Sequence, residues 1–104
     1  MGINSFNSHF LDGAKKYIGS IPIVDQASIA ANITSMQLGG LQSVQTKQLK
    51  GQVRELIVGH HRIIYFQLSK ALYFVRGFRK KSKKTPKSEI EYAEKIYKMM
   101  KSVK

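Results

Sequence analysis

Residues 71–97 read ALYFVRGFRKKSKKTPKSEIEYAEKIY, and the fold turns on how this stretch is understood. An apolar, β-branched and aromatic run ends in Arg76-Gly77-Phe78, a cationic turn follows, and a helix begins with clear signals. Thr85 can cap that helix, Pro86 suits its first position, and Glu89, Glu91 and Glu94 lie toward the positive end of the dipole. Lys95, Lys98, Lys101 and Lys104 fall toward the negative end, and Ile90, Ala93, Ile96, Tyr97, Met100 and Val103 form the apolar stripe. The turn is therefore held by structure on both sides. Arg76, Arg79, Lys80, Lys81, Lys83, Lys84 and Lys87 repel one another there unless an anionic partner faces them.

Working back toward the N-terminus, GQVRELIV (51–58), HRIIYFQL (61–68) and ALYFVRGF (71–78) read as three strands. Gly59-His60-His61 and Ser69-Lys70 are short enough for hairpin turns, so the strands are expected to form an antiparallel meander. Ile64, Phe66 and Leu68 alternate on one face, and Leu72 with Phe74 on the next strand, giving a side for helices to cover. Two helices are expected earlier. One runs from about Asn4 to Gly19 on the spacing of Phe6, Phe10, Ala14, Tyr17 and Ile18, with Asn4 or Ser5 as cap. The other runs from Pro22 to Leu38, with Ile29, Ile33 and Met36 as its stripe, Ala27, Ala30 and Ala31 permitting close packing, and Gly39-Gly40 closing it. The expectation is one two-layer α+β domain over residues 1–104: two N-terminal helices on a three- to four-stranded antiparallel sheet, with a C-terminal helix.

A chain of 104 residues holds one modest core and one site. Its net charge of +12 and pI near 10.1 favour nucleic acid, a ribosome or an acidic protein as partner. Cysteine is absent, which excludes disulfides, thiolate nucleophiles and cysteine metal sites and is compatible with the cytoplasm. The opening MGINSFNSHF lacks the cationic start and apolar run of a secretory signal, and no segment approaches the roughly 18 apolar residues of a membrane span.

Strand alternation puts Arg76, Phe78 and Lys80 on one side, cations around an aromatic ring, which suits phosphate binding and base stacking. The plainer alternative is a solvated loop with Phe78 in the core. Arg62 opens the middle strand, and the meander brings it beside Arg76 and Phe78. Its planar fork suits the charge growing on a phosphorus centre under attack, or equally a surface salt bridge with Glu55. His60 and His61 could supply a general base or be ordinary solvated turn residues. With no third spaced histidine and no cysteine, zinc is not expected, and no acidic residue is evidently placed to orient a base.

LKGQVRELIVGHHRIIYF (49–66) followed by VRGFRKKSKKTPKSEIEYAEK (75–95) resembles the HigB branch of the RelE/ParE toxin superfamily, including phage-derived relatives. The most specific part comprises Gly77, Phe78, Lys80, Lys81, Lys84, Thr85, Pro86, Glu89, Ile90 and Ala93. The resemblance implies a cytoplasmic toxin that enters the ribosomal A site, cleaves messenger RNA without a metal or cofactor, and is silenced by an antitoxin with a helix-turn-helix segment. On this reading Arg62, Arg76 and Lys80 stabilise the scissile phosphate and His61 carries a proton, while Lys50, Arg54, Phe78, Arg79, Lys81, Lys83 and Lys84 contact RNA. Departures from the family pattern stand at Arg54, Ile57, His61 and Arg76, and the N-terminal segment looks short of the family's opening strand. Two alternatives stay open: a gyrase inhibitor like the ParE branch, and a non-catalytic RNA-binding phage accessory domain.

Overall fold

The structure, a computed structural model, describes residues 6–81 and 83–103. In chain order the elements are β1 (Asn7–Phe10), α1 (Asp12–Ser20), α2 (Ile23–Gly39), β2 (Thr46–Lys50), β3 (Val53–Val58), β4 (His61–Leu68), β5 (Ala71–Arg79) and α3 (Lys87–Val103). The expected meander of β3, β4 and β5 is present, and Gly59 adopts the positive φ of 60° that its tight turn requires. Among the described residues, no helix is long and apolar enough to cross a membrane.

The sheet is larger than expected and of a different kind: five strands in the order β1-β5-β4-β3-β2, with β1 running parallel to β5. The helix expected from Asn4 to Gly19 is instead a strand followed by a shorter helix; Asn4 and Ser5 lie outside the described residues. A four-residue spacing of Phe6 and Phe10 is compatible with a helix. What selects a strand is long-range: Asn7 N–H donates to the Lys70 carbonyl and Leu11 N–H to that of Phe74, while Phe6 exchanges bonds with Gln37. β2 was also unexpected, because an edge strand with exposed Lys47, Gln48 and Lys50 lacks apolar alternation.

The layering differs as well. Helices cover both faces of the sheet, making three layers where two were expected. On one face Leu56, Ile63, Tyr65, Leu72 and Phe74 pack with Ala14 of α1 and Ile29, Ile33 and Met36 of α2. On the other, Val53, Ile64, Phe66 and Val75 pack against Ala93 of α3. Ile64 and Phe66 thus face α3, whereas Leu72 and Phe74 face the N-terminal helices. The run Ile63-Ile64-Tyr65-Phe66 is buried without interruption, as a strand covered on both sides must be. Ala27, Ala30 and Ala31, expected at a close helix contact, are exposed.

A bulge interrupts the β4–β5 register, since Tyr65 opposes Phe74 and Ile64 opposes Arg76, leaving Val75 as the extra residue. α3 starts one residue later than its sequence signals imply: the Pro86 carbonyl accepts from Glu89 and Ile90, so Pro86 occupies the capping place. The Thr85 hydroxyl donates to Glu55 Oε1 at 2.6 Å, tying the start of α3 to the sheet. Val103 is exposed at the end of the stripe, and Lys104 lies outside the described residues.

Candidate functional site

Pleating sends His61 and Arg62, adjacent on β4, to opposite sides of the sheet. The expected cationic cluster is divided accordingly. Arg62 and Arg76 share the α3 side, where Arg62 opposes Phe78 and Arg76 opposes Ile64. His61 opposes Arg79 and faces α1 and α2.

On the α3 side each arginine is tied to a carboxylate. Glu55 is completely buried, and its Oε2 lies 3.9 Å from Arg62 Nε. Arg62 Nη1 donates to the carbonyls of Gly59, at 2.7 Å, and His61, so the guanidinium braces the β3–β4 turn. Among the described residues Glu55 Oε2 and Arg62 Nε have no hydrogen-bond partner, and the two charges compensate each other in a dry space. Arg76 Nε donates to Glu89 Oε1 at 2.8 Å, and its guanidinium lies 4.4 Å from the centre of the Tyr92 ring. Phe78 is partly buried against the α3-side core instead of presenting a free stacking face.

On the other side, His61 is buried between two partners. Its Nε2 is 3.1 Å from Asp25 Oδ2 at the start of α2, and its Nδ1 is 2.5 Å from the Tyr17 hydroxyl on α1. A carboxylate only accepts, so a ring that carries one proton holds it on Nε2 toward Asp25, and Nδ1 then accepts from the Tyr17 O–H. Asp25, Ser28, Val58, Gly59, His60, His61 and Arg79 line a cleft of about 220 Å³ beside this chain of bonds. Arg79 is exposed, and the Asp25 side chain retains 40% of its exposure. Burial raises the Tyr17 phenol above its ordinary pKa of 10.0, while the Arg79 guanidinium pulls it down and Asp25 pushes it up. The phenol therefore stays protonated at neutral pH.

Two glycines seat α1 against β5. A Cβ on Gly13 would stand 2.9 Å from the Val75 carbonyl oxygen, and one on Gly77 would enter the Tyr17 ring, 2.8 Å from Cγ. The absence of a side chain at Gly77 lets the tyrosine lie across β5 and reach His61.

The remaining expected contacts scatter. Lys80 N–H donates to the His60 carbonyl, so the cationic turn leaves β5 beside the cleft, and Lys81, Lys83 and Lys84 are exposed. Lys50 pairs with Glu94 at 3.2 Å and Arg54 donates to Thr46, both at the other end of β3 from His61. Sequence reasoning missed Tyr17 and Asp25. Asp25 has a faint signal as an acidic residue in the first turn of a helix, but nothing local links it to a histidine 36 positions away.

Several solved structures share the fold. The toxin–antitoxin complex RelBE2 from Mycobacterium tuberculosis contains a chain matched at TM-score 0.61 and 11% identity, covering 73% of this chain and 99% of that one. The RelE–RelB complex from Pyrococcus horikoshii OT3 is matched at 0.64 and 12%, covering 72% and 94%. The RelB–RelE antitoxin–toxin complex from Methanococcus jannaschii is matched at 0.61 and 19%, covering 81% and 96%. At these identities the likeness establishes a RelE-like fold. No curated protein matches the sequence significantly. Residues 16–98, which carry the second half of α1, α2, β2, the β3–β5 meander, the cationic turn and most of α3, match a described family across most of the chain: this protein belongs to the phage derived protein Gp49-like (DUF891) family.

Proposed function

We propose that this chain is the toxin of a type II toxin–antitoxin pair, acting in the cytoplasm as a metal-independent endoribonuclease on ribosome-bound messenger RNA. The observation that carries the reading is the cationic end of a RelE-like sheet. There Arg79 lines a cleft that also holds an imidazole between two protonatable partners, and Lys80 leaves β5 bonded to His60 at its edge. In the reaction the ribose 2′-hydroxyl attacks the adjacent phosphorus, the 2′-O–P bond forms as the P–5′-O bond breaks, and a cyclic phosphate and a free 5′-hydroxyl result. Cations beside the cleft neutralise the phosphate as its charge grows. Arg79 and Lys80 are the cations nearest the cleft along the chain, His61 takes part in proton transfer, and Arg62 and Arg76, paired with Glu55 and Glu89 on the α3 side, hold the sheet that carries them. The exposed lysines of the turn hold the RNA backbone. The similar structures are RelE–RelB toxin–antitoxin complexes, which supports an antitoxin as this chain's partner, and the net charge of +12 favours an acidic one.

The test is tightly controlled expression with mapping of transcript ends on translating ribosomes. New ends within translated messages and growth arrest, both relieved by the neighbouring open reading frame, are the expected outcome. Normal growth with unchanged transcript ends removes the reading. One observation favours a second: Arg62 and Arg76 are neutralised by Glu55 and Glu89, which leaves a docking surface without two of the expected cations, as a gyrase inhibitor could use. Induction of the DNA-damage response in place of RNA cleavage distinguishes it.

A further inference from the structure

We infer that Tyr17 is a catalytic residue of this site, carrying the proton of the attacking hydroxyl to His61, with Asp25 and Gly77 as positioning residues. The inference rests on the endoribonuclease reading and assigns its proton path. Three elements distant in sequence converge to build the path: α1 supplies the phenol, β4 the imidazole and α2 the carboxylate. The middle member is buried, whereas Tyr17 and Asp25 both retain exposure, so protons can enter and leave through the ends.

With the single ring proton held on Nε2 by Asp25, Nδ1 accepts from the phenol, and the phenol oxygen keeps a lone pair for a proton from a ribose 2′-hydroxyl. As the 2′-O–P bond forms, the 2′-hydroxyl proton passes to the Tyr17 oxygen and the Tyr17 proton to Nδ1. The imidazolium that results faces the Asp25 carboxylate at 3.1 Å, which holds the extra charge. Water in the open cleft protonates the departing 5′-oxygen, and His61 later returns its proton to solvent through the same phenol. Arg79, opposite His61 on β5, also acts on the Tyr17 phenol and lines the cleft together with His61 and Asp25, so it can neutralise a phosphate beside them. The cleft is below the roughly 300 Å³ of a pocket that engulfs a drug-sized ligand, which fits a phosphodiester held at its mouth. The charged and titratable groups facing Tyr17 are therefore His61 from β4, Asp25 from α2 and Arg79 from β5.

Single-turnover and steady-state cleavage of a defined message on programmed ribosomes tests the assignment with wild type, Tyr17→Phe and Asp25→Asn. Tyr17→Phe keeps the ring over Gly77 and removes only the hydroxyl. It is expected to lower kcat about 100-fold with KM within about twofold, the scale of a lost general base. Asp25→Asn is expected to lower kcat with KM within about twofold, because the imidazolium formed in the step loses its counter-charge; loss of a merely structural contact lowers stability and leaves kcat in place. Cleavage by Tyr17→Phe at the wild-type rate, or a change confined to KM, overturns the role of Tyr17 while the endoribonuclease reading stands. Wild-type protein that leaves the message intact overturns both.

Discussion

The two sides of the sheet end at β4 receive similar residue types and treat them oppositely. On the α3 side Arg62 is enclosed with a buried glutamate and two backbone carbonyls, and Arg76 is paired with Glu89. On the α1/α2 side His61 links two partly exposed groups at the wall of an open cleft, and Arg79 stands exposed beside it. A charge sealed against its opposite holds the fold, because freeing either member leaves the other buried and uncompensated. A hydrogen-bonded chain whose ends reach solvent can exchange protons with a substrate. Residue type alone does not assign the role; burial and neighbours do.

The strongest way to break this contrast is at Glu55. Glu55→Ala is expected to cost about 3 kcal/mol of stability, measured by urea unfolding, since it orphans the Arg62 guanidinium and also removes the acceptor of the Thr85 hydroxyl. Arg62→Ala should cost a similar amount, and the double substitution clearly less than the sum. Additive losses would mean that the pair is not coupled and that Arg62 remains available for RNA.

Gly77→Ala probes the other side. Its methyl group meets the Tyr17 ring, so a loss of about 1–3 kcal/mol is expected in the same unfolding assay, with cleavage reduced as the phenol is pushed from His61. Unchanged stability and activity would show that Tyr17 is free to move. Arg79→Ala sharpens the comparison further: an exposed residue should leave unfolding within about 0.5 kcal/mol of wild type while cleavage falls roughly tenfold. If Arg79→Ala unfolds early and keeps its activity, the two arginines have exchanged roles.

The smallest effect concerns pH. The Tyr17 pKa is raised in the folded protein, so the folded state binds a proton that the unfolded chain releases first. That contribution is complete below the ordinary value of 10.0 and declines as pH climbs from there toward the folded value. Ultraviolet titration of wild type against Tyr17→Phe should reveal one phenol ionising later than the ordinary tyrosines. A difference spectrum centred at or below pH 10 would contradict the upward shift of that phenol.

Much of the scaffold was legible in the order of residues. The β3–β5 meander, α2 with its Ile29, Ile33 and Met36 stripe, and α3 after Pro86 all follow from local periodicity and turn chemistry. The unbroken Ile63–Phe66 run already announced a strand covered on both faces, although two layers were expected. β1 and β2 were not legible, since each is an edge strand whose ladder bonds come from one neighbour and whose short sequence has no compelling alternation. The positive charge and the turn's proximity to Arg62 could likewise be read along the chain.

The site divides along the same line. Sequence by itself determined the charge, the cationic turn, the glycine at position 77 and the presence of His61 and Arg62 at the head of one strand. Only the tertiary structure decided that these two neighbours face different layers, that Glu55 closes over Arg62, and that α1 and α2 deliver Tyr17 and Asp25 to one imidazole. The physical reason is range. Periodicity and capping act over a few residues, whereas the hydrogen bonds of His61 span 44 positions in one direction and 36 in the other, and exist only once helices have packed on the sheet.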